Sequence, residues 1–135
     1  MTIPLTARVL IADDHPIVRK GAQRVLDAQP DLRVVAEAAD GAAAVERVGE
    51  GDIDLAILDV AMPRASGLEA AREIARRYPE TRTLILSMHD DEEYLFEALA
   101  AGAAGYVLKT SVDRDLVGAC RAVLRGEAFL YPSGV

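Results

Sequence analysis

The chain has no tryptophan, one cysteine and two histidines, and its aromatic residues are four tyrosines and two phenylalanines. With Cys120 alone, an intramolecular disulfide and a cysteine-rich metal site are both excluded. Cys120 lies on an apolar helical stripe and reads as a small buried hydrophobe. A basic excess is also missing. Fifteen Lys and Arg face twenty-two Asp and Glu, a net charge of −7. Neutralisation of phosphates dominates nucleic-acid affinity, so no direct nucleic-acid binding by this chain is expected. No apolar run is long enough to span a bilayer. Residues Met1 to Ala7 lack a charged start followed by an apolar block. Neither membrane span nor signal peptide is therefore expected, and the expected location is the cytoplasm. No G-x-G-x-x-G and no P-loop follows any apolar run.

What is present is a 51% hydrophobic chain of 135 residues with only 4% aromatics. That length suits one domain, and its core must be built from Ala, Val, Leu and Ile. Short continuous apolar runs alternate with stretches of helical period. The runs are Arg8–Ala12, Leu32–Ala36, Leu55–Leu58, Thr83–Leu86 and Tyr106–Leu108. The helical stretches are Pro16–Ala28, Asp40–Val48, about Leu68–Tyr78, Asp91–Ala101 and Thr110–Arg125. Pro16 suits a first helical turn, and Pro79 and Gly102 are stops. Thr110 with Asp113 three residues on reads as a capping box. Gly67 and Gly102 read as turn or cap glycines.

Buried-type strands separated by helices predict an α/β (βα)5 fold, a doubly wound parallel sheet with helices on both faces. The flavodoxin-like strand order 2-1-3-4-5 is the common one for five units. In such sheets, ligands bind beyond the carboxyl ends of the strands, at the switch point between strands 1 and 3. The polar residues that interrupt the apolar runs all fall at that end. Asp13 and Asp14 follow the first strand, Asp59 ends the third, Ser87 follows the fourth and Lys109 the fifth.

Carboxylates gathered at one mouth repel each other, so one holds a proton or a cation sits among them. Oxygen donors favour a hard ion such as Mg2+. Lys109 supplies a point charge and Ser87 a hydroxyl, both suited to a phosphoryl oxygen. A carboxylate can attack phosphorus to give an acyl phosphate, and that chemistry needs charge neutralisation and positioning above all. Asp59 is the best nucleophile, because it ends the central strand and precedes a loop.

The full set resembles the response-regulator receiver domain: D-D after the first strand (Asp13, Asp14), D-x-x-M-P after the third (Asp59 to Pro63), Ser87 after the fourth and Lys109 after the fifth. The resemblance covers about Arg8 to Arg125 and implies a CheY-like fold. It implies that Asp14 and Asp59 ligate Mg2+ directly with the backbone carbonyl of Ala61, while Asp13 reaches the ion mainly through water. It makes Asp59 the phosphoacceptor, with Ser87 and Lys109 binding phosphoryl oxygens. Tyr106 matches the switch aromatic, whose ring turns inward when Ser87 is drawn to the phosphoryl group. Lys109 is followed by Thr110 rather than Pro, so the cis-proline turn of some members cannot form. Ala61 and His89 occupy the two positions that tune phosphoryl loss in the family.

The run Val9–Gly21 (VLIADDHPIVRKG) and the ending Gly126–Leu130 (GEAFL) are similar to the NarL/FixJ subfamily. That resemblance implies a sensor histidine kinase as phosphoryl donor, homodimerisation on phosphorylation, and transcription control through a LuxR-type DNA-binding domain. The chain stops at Val135, where a linker to such a domain would begin. The expectation is one receiver domain over 1–135, core about 8–125, with 126–135 opening that linker, rather than a stand-alone receiver. It catalyses only its own phosphorylation and dephosphorylation.

Two other readings compete. A haloacid-dehalogenase-type phosphatase carries a second Asp two residues after the nucleophile, where this chain has Ala61. A flavodoxin-like cofactor binder needs a phosphate cradle at the first βα turn, and here that turn is Asp13-Asp14-His15-Pro16, which repels phosphate. His15 reads as a structural or surface residue.

Overall fold

The computed structural model describes residues 6–62, 65–88 and 92–130. Strands β1 (Ala7–Ala12), β2 (Leu32–Ala38), β3 (Leu55–Asp59), β4 (Arg82–Ser87) and β5 (Gly105–Leu108) alternate with helices α1 (Pro16–Asp27), α2 (Gly41–Gly49), α3 (Gly67–Arg77), α4 (Glu92–Ala100) and α5 (Val112–Leu124). A short strand β6 (Phe129–Leu130) closes the series. The sheet is parallel, in the order β2-β1-β3-β4-β5-β6. The expected order of the first five strands is therefore observed.

Side chains alternate along each strand, so one sequence feeds two cores. Val9, Ile11, Leu55, Ile57, Leu84, Leu86 and Val107 point to the face covered by α1 and α5. Leu10, Ala12, Ala56, Leu58, Ile85 and Tyr106 point to the face covered by α2, α3 and α4. Helix residues such as Ala22, Ala44, Ala70, Ala71, Ala98 and Ala119 are almost fully buried. Their small side chains let helices sit close on the sheet without aromatic spacers. Cys120 is buried in the α5 layer, and burial pushes its thiol up to about 12, so it is an inert hydrophobe.

Two expectations need correction. Residues 126–130 do not leave the domain as a linker: Phe129 donates its backbone N–H to the Ala104 carbonyl and β6 pairs with β5. Without β6 the outer edge of β5 would present unpaired peptide groups, and Phe129 packs on the α5-side core, so the chain is held there. Residues 131–135 lie outside the described residues, as does the expected helix start at Asp91. Thr110 does not cap α5 either. Lys109–Ser111 winds into a single 3₁₀ turn, which leaves Thr110 exposed and puts Ser111 at the N-cap with no side-chain cap bond.

The starts of α2 and α3 are capped by side chains. Asp40 Oδ1 accepts from Ala43 N–H at 2.7 Å at α2. Ser66 and Glu69 form a reciprocal capping box at α3. Ser66→Ala should cost about 1 kcal/mol in urea unfolding. A loss within a few tenths would mean that packing, not the cap, holds α3.

At the opposite end of the sheet, Arg8 grips Asp54 with Nε and Nη2, both at 3.1 Å, and reaches Asp52 with Nη1 at 3.0 Å. The Arg8 contact holds the Asp54 carboxyl below its ordinary range. A carboxylate with a depressed folded pKa contributes stability that is present above its unfolded value and lost as pH falls through the folded one. Wild type should therefore exceed Asp54→Asn in stability at neutral pH, and the gap should close as pH falls below about 4. The pair is half exposed, so the gap should be small and should shrink in high salt. Urea midpoints at several pH values check this, and a gap that widens in acid would overturn it.

Candidate functional site

Parallel register brings the carboxyl ends of the central strands level. Ala12 lies beside Leu58, and Asp59 beside Leu86. Asp13, one step past β1, is fully buried, and Asp59 is 3% exposed. Ser87 ends β4 and is also fully buried. Lys109 follows β5 and reaches back across this edge, with its Nζ 2.9 Å from Asp59 Oδ2 and 3.0 Å from Asp13 Oδ2. One ammonium thus bridges two buried carboxylates from neighbouring strands. It sits off the hydrogen-bonding direction of both, and neither oxygen has an aligned donor. These contacts are ion pairs, and they leave both oxygens able to take a further cationic partner.

The electrostatics follow from that geometry. Burial pushes the Asp59 carboxyl above its ordinary value. Lys109 opposes the rise, and the Asp13 charge adds to it. Burial pulls the Lys109 ammonium down, but its contacts with Asp59 and Asp13 together outweigh that and hold it above its ordinary value. Lys109 stays charged, and the mouth is under-neutralised in its carboxylates.

Asp14 is turned to the exposed rim, with its Oδ1 3.0 Å from His15 Nδ1. The same nitrogen lies 3.1 Å from Asp13 Oδ1, which also accepts the His15 backbone N–H at 2.8 Å. Donor atoms of Asp13, Asp14, His15 and Asp59 all lie within 4.8 Å of one another. His15, expected to be structural or surface, joins the acidic cluster. The only signal in the sequence was its place directly after the two aspartates. Arg19 was not singled out at all. It donates to the Asp13 carbonyl and to Glu37 Oε1 on β2, which fixes the backbone where β1 enters the site.

The loop after β3 is held by backbone contacts. Ala61 N–H approaches Asp59 Oδ1 at 3.4 Å, and Ala61 is exposed at the rim. Gly67 donates to the Val60 carbonyl at 3.0 Å, so α3 begins directly against the strand end. A Cβ on Gly67 would stand 2.0 Å from the Asp59 carbonyl oxygen. This glycine was expected as a turn or cap residue; it is instead the first residue of α3, and close approach requires it. Gly102 keeps its expected role, with φ +87° just past α4. Pro63 and His89 lie outside the described residues.

Tyr106 is 1% exposed and packs in the α2–α4-side core. Its ring therefore already occupies an inward position. Its neighbour in register is Ile85, two residues before Ser87.

A family model described as "Response regulator receiver domain" matches residues 9–121. The chain is 49% identical to the oxygen regulatory protein NreC of Staphylococcus epidermidis over 124 residues, which are 91% of this chain and 57% of that protein. It spans little more than half the length of the curated relatives it matches. Among solved structures, it is similar to a LuxR-family two-component response regulator from Aurantimonas (TM-score 0.89, 40% identity, 94% of this chain and 91% of that one). It is also similar to the signal receiver domain of the putative response regulator NarL from Mycobacterium tuberculosis (TM-score 0.86, 39% identity, 92% of this chain and all of that one).

Proposed function

Since the chain belongs to the response regulator receiver domain family, we propose that Asp59 is its phosphoacceptor, taking a phosphoryl group from a sensor histidine kinase. The observation that carries this reading is the Lys109 ammonium set between two buried carboxylates. An ordinary structural ion pair needs one partner. Here a second carboxylate shares the cation, and both facing oxygens lack aligned donors.

Two buried carboxylates that share one ammonium fit a hard divalent cation. Asp14 and Asp59, with the Ala61 carbonyl, would hold Mg2+ directly, and Asp13 would reach it through water. Mg2+, when bound, neutralises phosphoryl oxygens during transfer. The chain's own groups do the rest. An Asp59 carboxylate oxygen forms a bond to phosphorus as the bond to the donor breaks, leaving an acyl phosphate. Lys109 moves its charge from the carboxylate to a phosphoryl oxygen. The Ser87 hydroxyl donates to another, and a Ser87 displaced toward the site holds Tyr106 inward.

The output is a changed surface for homodimerisation. Relatives of LuxR type support transcription control through a DNA-binding domain outside residues 1–135. The acidic net charge supports no direct DNA contact by this domain. Among the described residues, no helix is long and apolar enough to cross a membrane. A cytoplasmic location fits this reading. The domain turns over no separate substrate and acts only on its own phosphoryl group.

The test is intact mass after incubation with Mg2+ and acetyl phosphate. One phosphoryl group should be gained, and a chelator should abolish the gain. Absence of both this gain and a beryllofluoride complex would refute the reading.

A further inference from the structure

Asp13 is held at both of its peptides. Its N–H donates to the Ala38 carbonyl on β2 at 3.0 Å. Its carbonyl accepts from Nη1 of Arg19, one turn into α1. The same guanidinium is anchored through Nε to Glu37 Oε1 on β2 at 3.1 Å. Ala36 and Ala38 pack on the α2–α4 side of the sheet, so alternation turns Glu37 toward α1 and Arg19. The Arg19 side chain is 19% exposed, so most of this clamp lies out of solvent. A planar guanidinium can serve two acceptors in a fixed geometry, which a lysine cannot do. The clamped carbonyl belongs to the peptide that joins Asp13 to Asp14. A turn of that peptide swings both carboxylates, and Asp14 stands at the exposed rim, where its backbone places it more than packing does.

We infer that Arg19, anchored by Glu37, is a positioning residue for Mg2+-dependent phosphoryl acceptance, a role that rests on the metal-dependent reading of this site given above. It locks the Asp13–Asp14 peptide, so that both carboxylates are set before the ion arrives. Groups that orient ligands in this way are worth a large share of metal affinity. Charge alone argues the opposite way. A guanidinium beside the site repels a second cation, so removing it should tighten Mg2+ binding. Positioning and charge therefore predict opposite signs for the same substitution.

Calorimetric titration of wild type, Arg19→Met and Arg19→Lys with Mg2+ decides between them. Methionine keeps a long stem but no donor and no charge. Its dissociation constant should rise about tenfold, the lower end of what loss of an outer-shell partner typically costs. Lysine keeps the charge but not the fork, so it should fall between methionine and wild type. Circular dichroism and melting in chelator verify folding, and if Arg19→Met does not fold, Arg19→Lys alone carries the comparison. In phosphoryl uptake from acetyl phosphate, the Mg2+ midpoint should rise with the dissociation constant. The limiting rate at saturating Mg2+ should move far less, because Asp59, Ser87 and Lys109 are untouched. Unchanged or tighter Mg2+ binding in the folded variants, or a lower limiting rate at an unchanged midpoint, would overturn the inference and leave the phosphoacceptor reading intact. Wild type that binds Mg2+ but takes up no phosphoryl group would sink that reading alone. Wild type that binds no Mg2+ would sink both.

Discussion

Asp59→Asn should take up no phosphoryl group under conditions where wild type gains one, and in chelator it should melt higher than wild type. The first effect is all-or-none, because the amide cannot form the acyl phosphate. The second follows from the charge count at the mouth. Asp59 and Asp13 are both buried, and one Lys109 ammonium serves both. The raised Asp59 pKa gives the sign: burial and the Asp13 charge together outweigh the attraction of Lys109, so ionised Asp59 is a net cost to the fold. The amide removes that cost at nearly the same volume, and Lys109 keeps Asp13 as its partner. Removing one partner of a buried pair is costly when it strands the other charge, but here Lys109 keeps Asp13, so the relief of burial and of repulsion from Asp13 decides the sign. A gain of about 1 kcal/mol would raise Tm by about 4 °C in a domain of this size. Mg2+ should raise Tm more in wild type than in the variant, because only the native state offers the full ligand set. Intact mass and calorimetric melting with and without chelator check both effects. A phosphorylated variant, or one that melts below wild type in chelator, would sink the argument.

Gly67→Ala should be among the most destabilising single changes in the chain. Its Cβ would stand 2.0 Å from the Asp59 carbonyl oxygen, 2.6 Å from the carbonyl carbon and 3.1 Å from the Val60 nitrogen. All three are backbone atoms of a strand end in a closed ladder, so no flexible side chain can yield. Overpacking usually costs 1–3 kcal/mol, and this case should exceed about 3 kcal/mol because α3 or β3 must move by more than 1 Å. Movement of β3 also displaces the Asp59 carboxylate, so phosphoryl uptake by the folded fraction should slow. Gly118→Ala is the contrast. Gly118 lies exposed within α5 with nothing near its would-be Cβ, and the change should stabilise by up to about 1 kcal/mol. Urea unfolding of both variants checks the pair. A Gly67→Ala midpoint close to wild type would show that the close approach relaxes at little cost.

The alternation of apolar strands and helices was legible because each strand is buried on both faces. Leu55–Leu58 reads as continuous apolar sequence for that reason, while side-chain alternation sends Leu55 and Ile57 to one core and Ala56 and Leu58 to the other. Asp13, Asp59, Ser87 and Lys109 were legible because a polar residue that ends such a run can lie only at the strand's open edge. β6 was not legible. Two residues carry no periodic signal, and what holds Phe129 is the free edge of β5, which no local window contains. The failed cap at Thr110 has the same origin: the residues after Lys109 tighten into a 3₁₀ turn, so the cap position moves on by one.

The sequence alone thus determined the class of fold, the edge of the sheet where chemistry sits, and the residue types gathered there. Those depend on periodicity and on where polar residues interrupt it, both local properties. Only the tertiary structure decided that one lysine spans two carboxylates from different strands, and that His15 faces both Asp13 and Asp14. It alone showed that Arg19 pins the Asp13 carbonyl and that Gly67 must lack a Cβ. Each of these is a distance set by strand order and helix approach between segments remote in the chain or turned by a single loop, and no one-dimensional pattern encodes it.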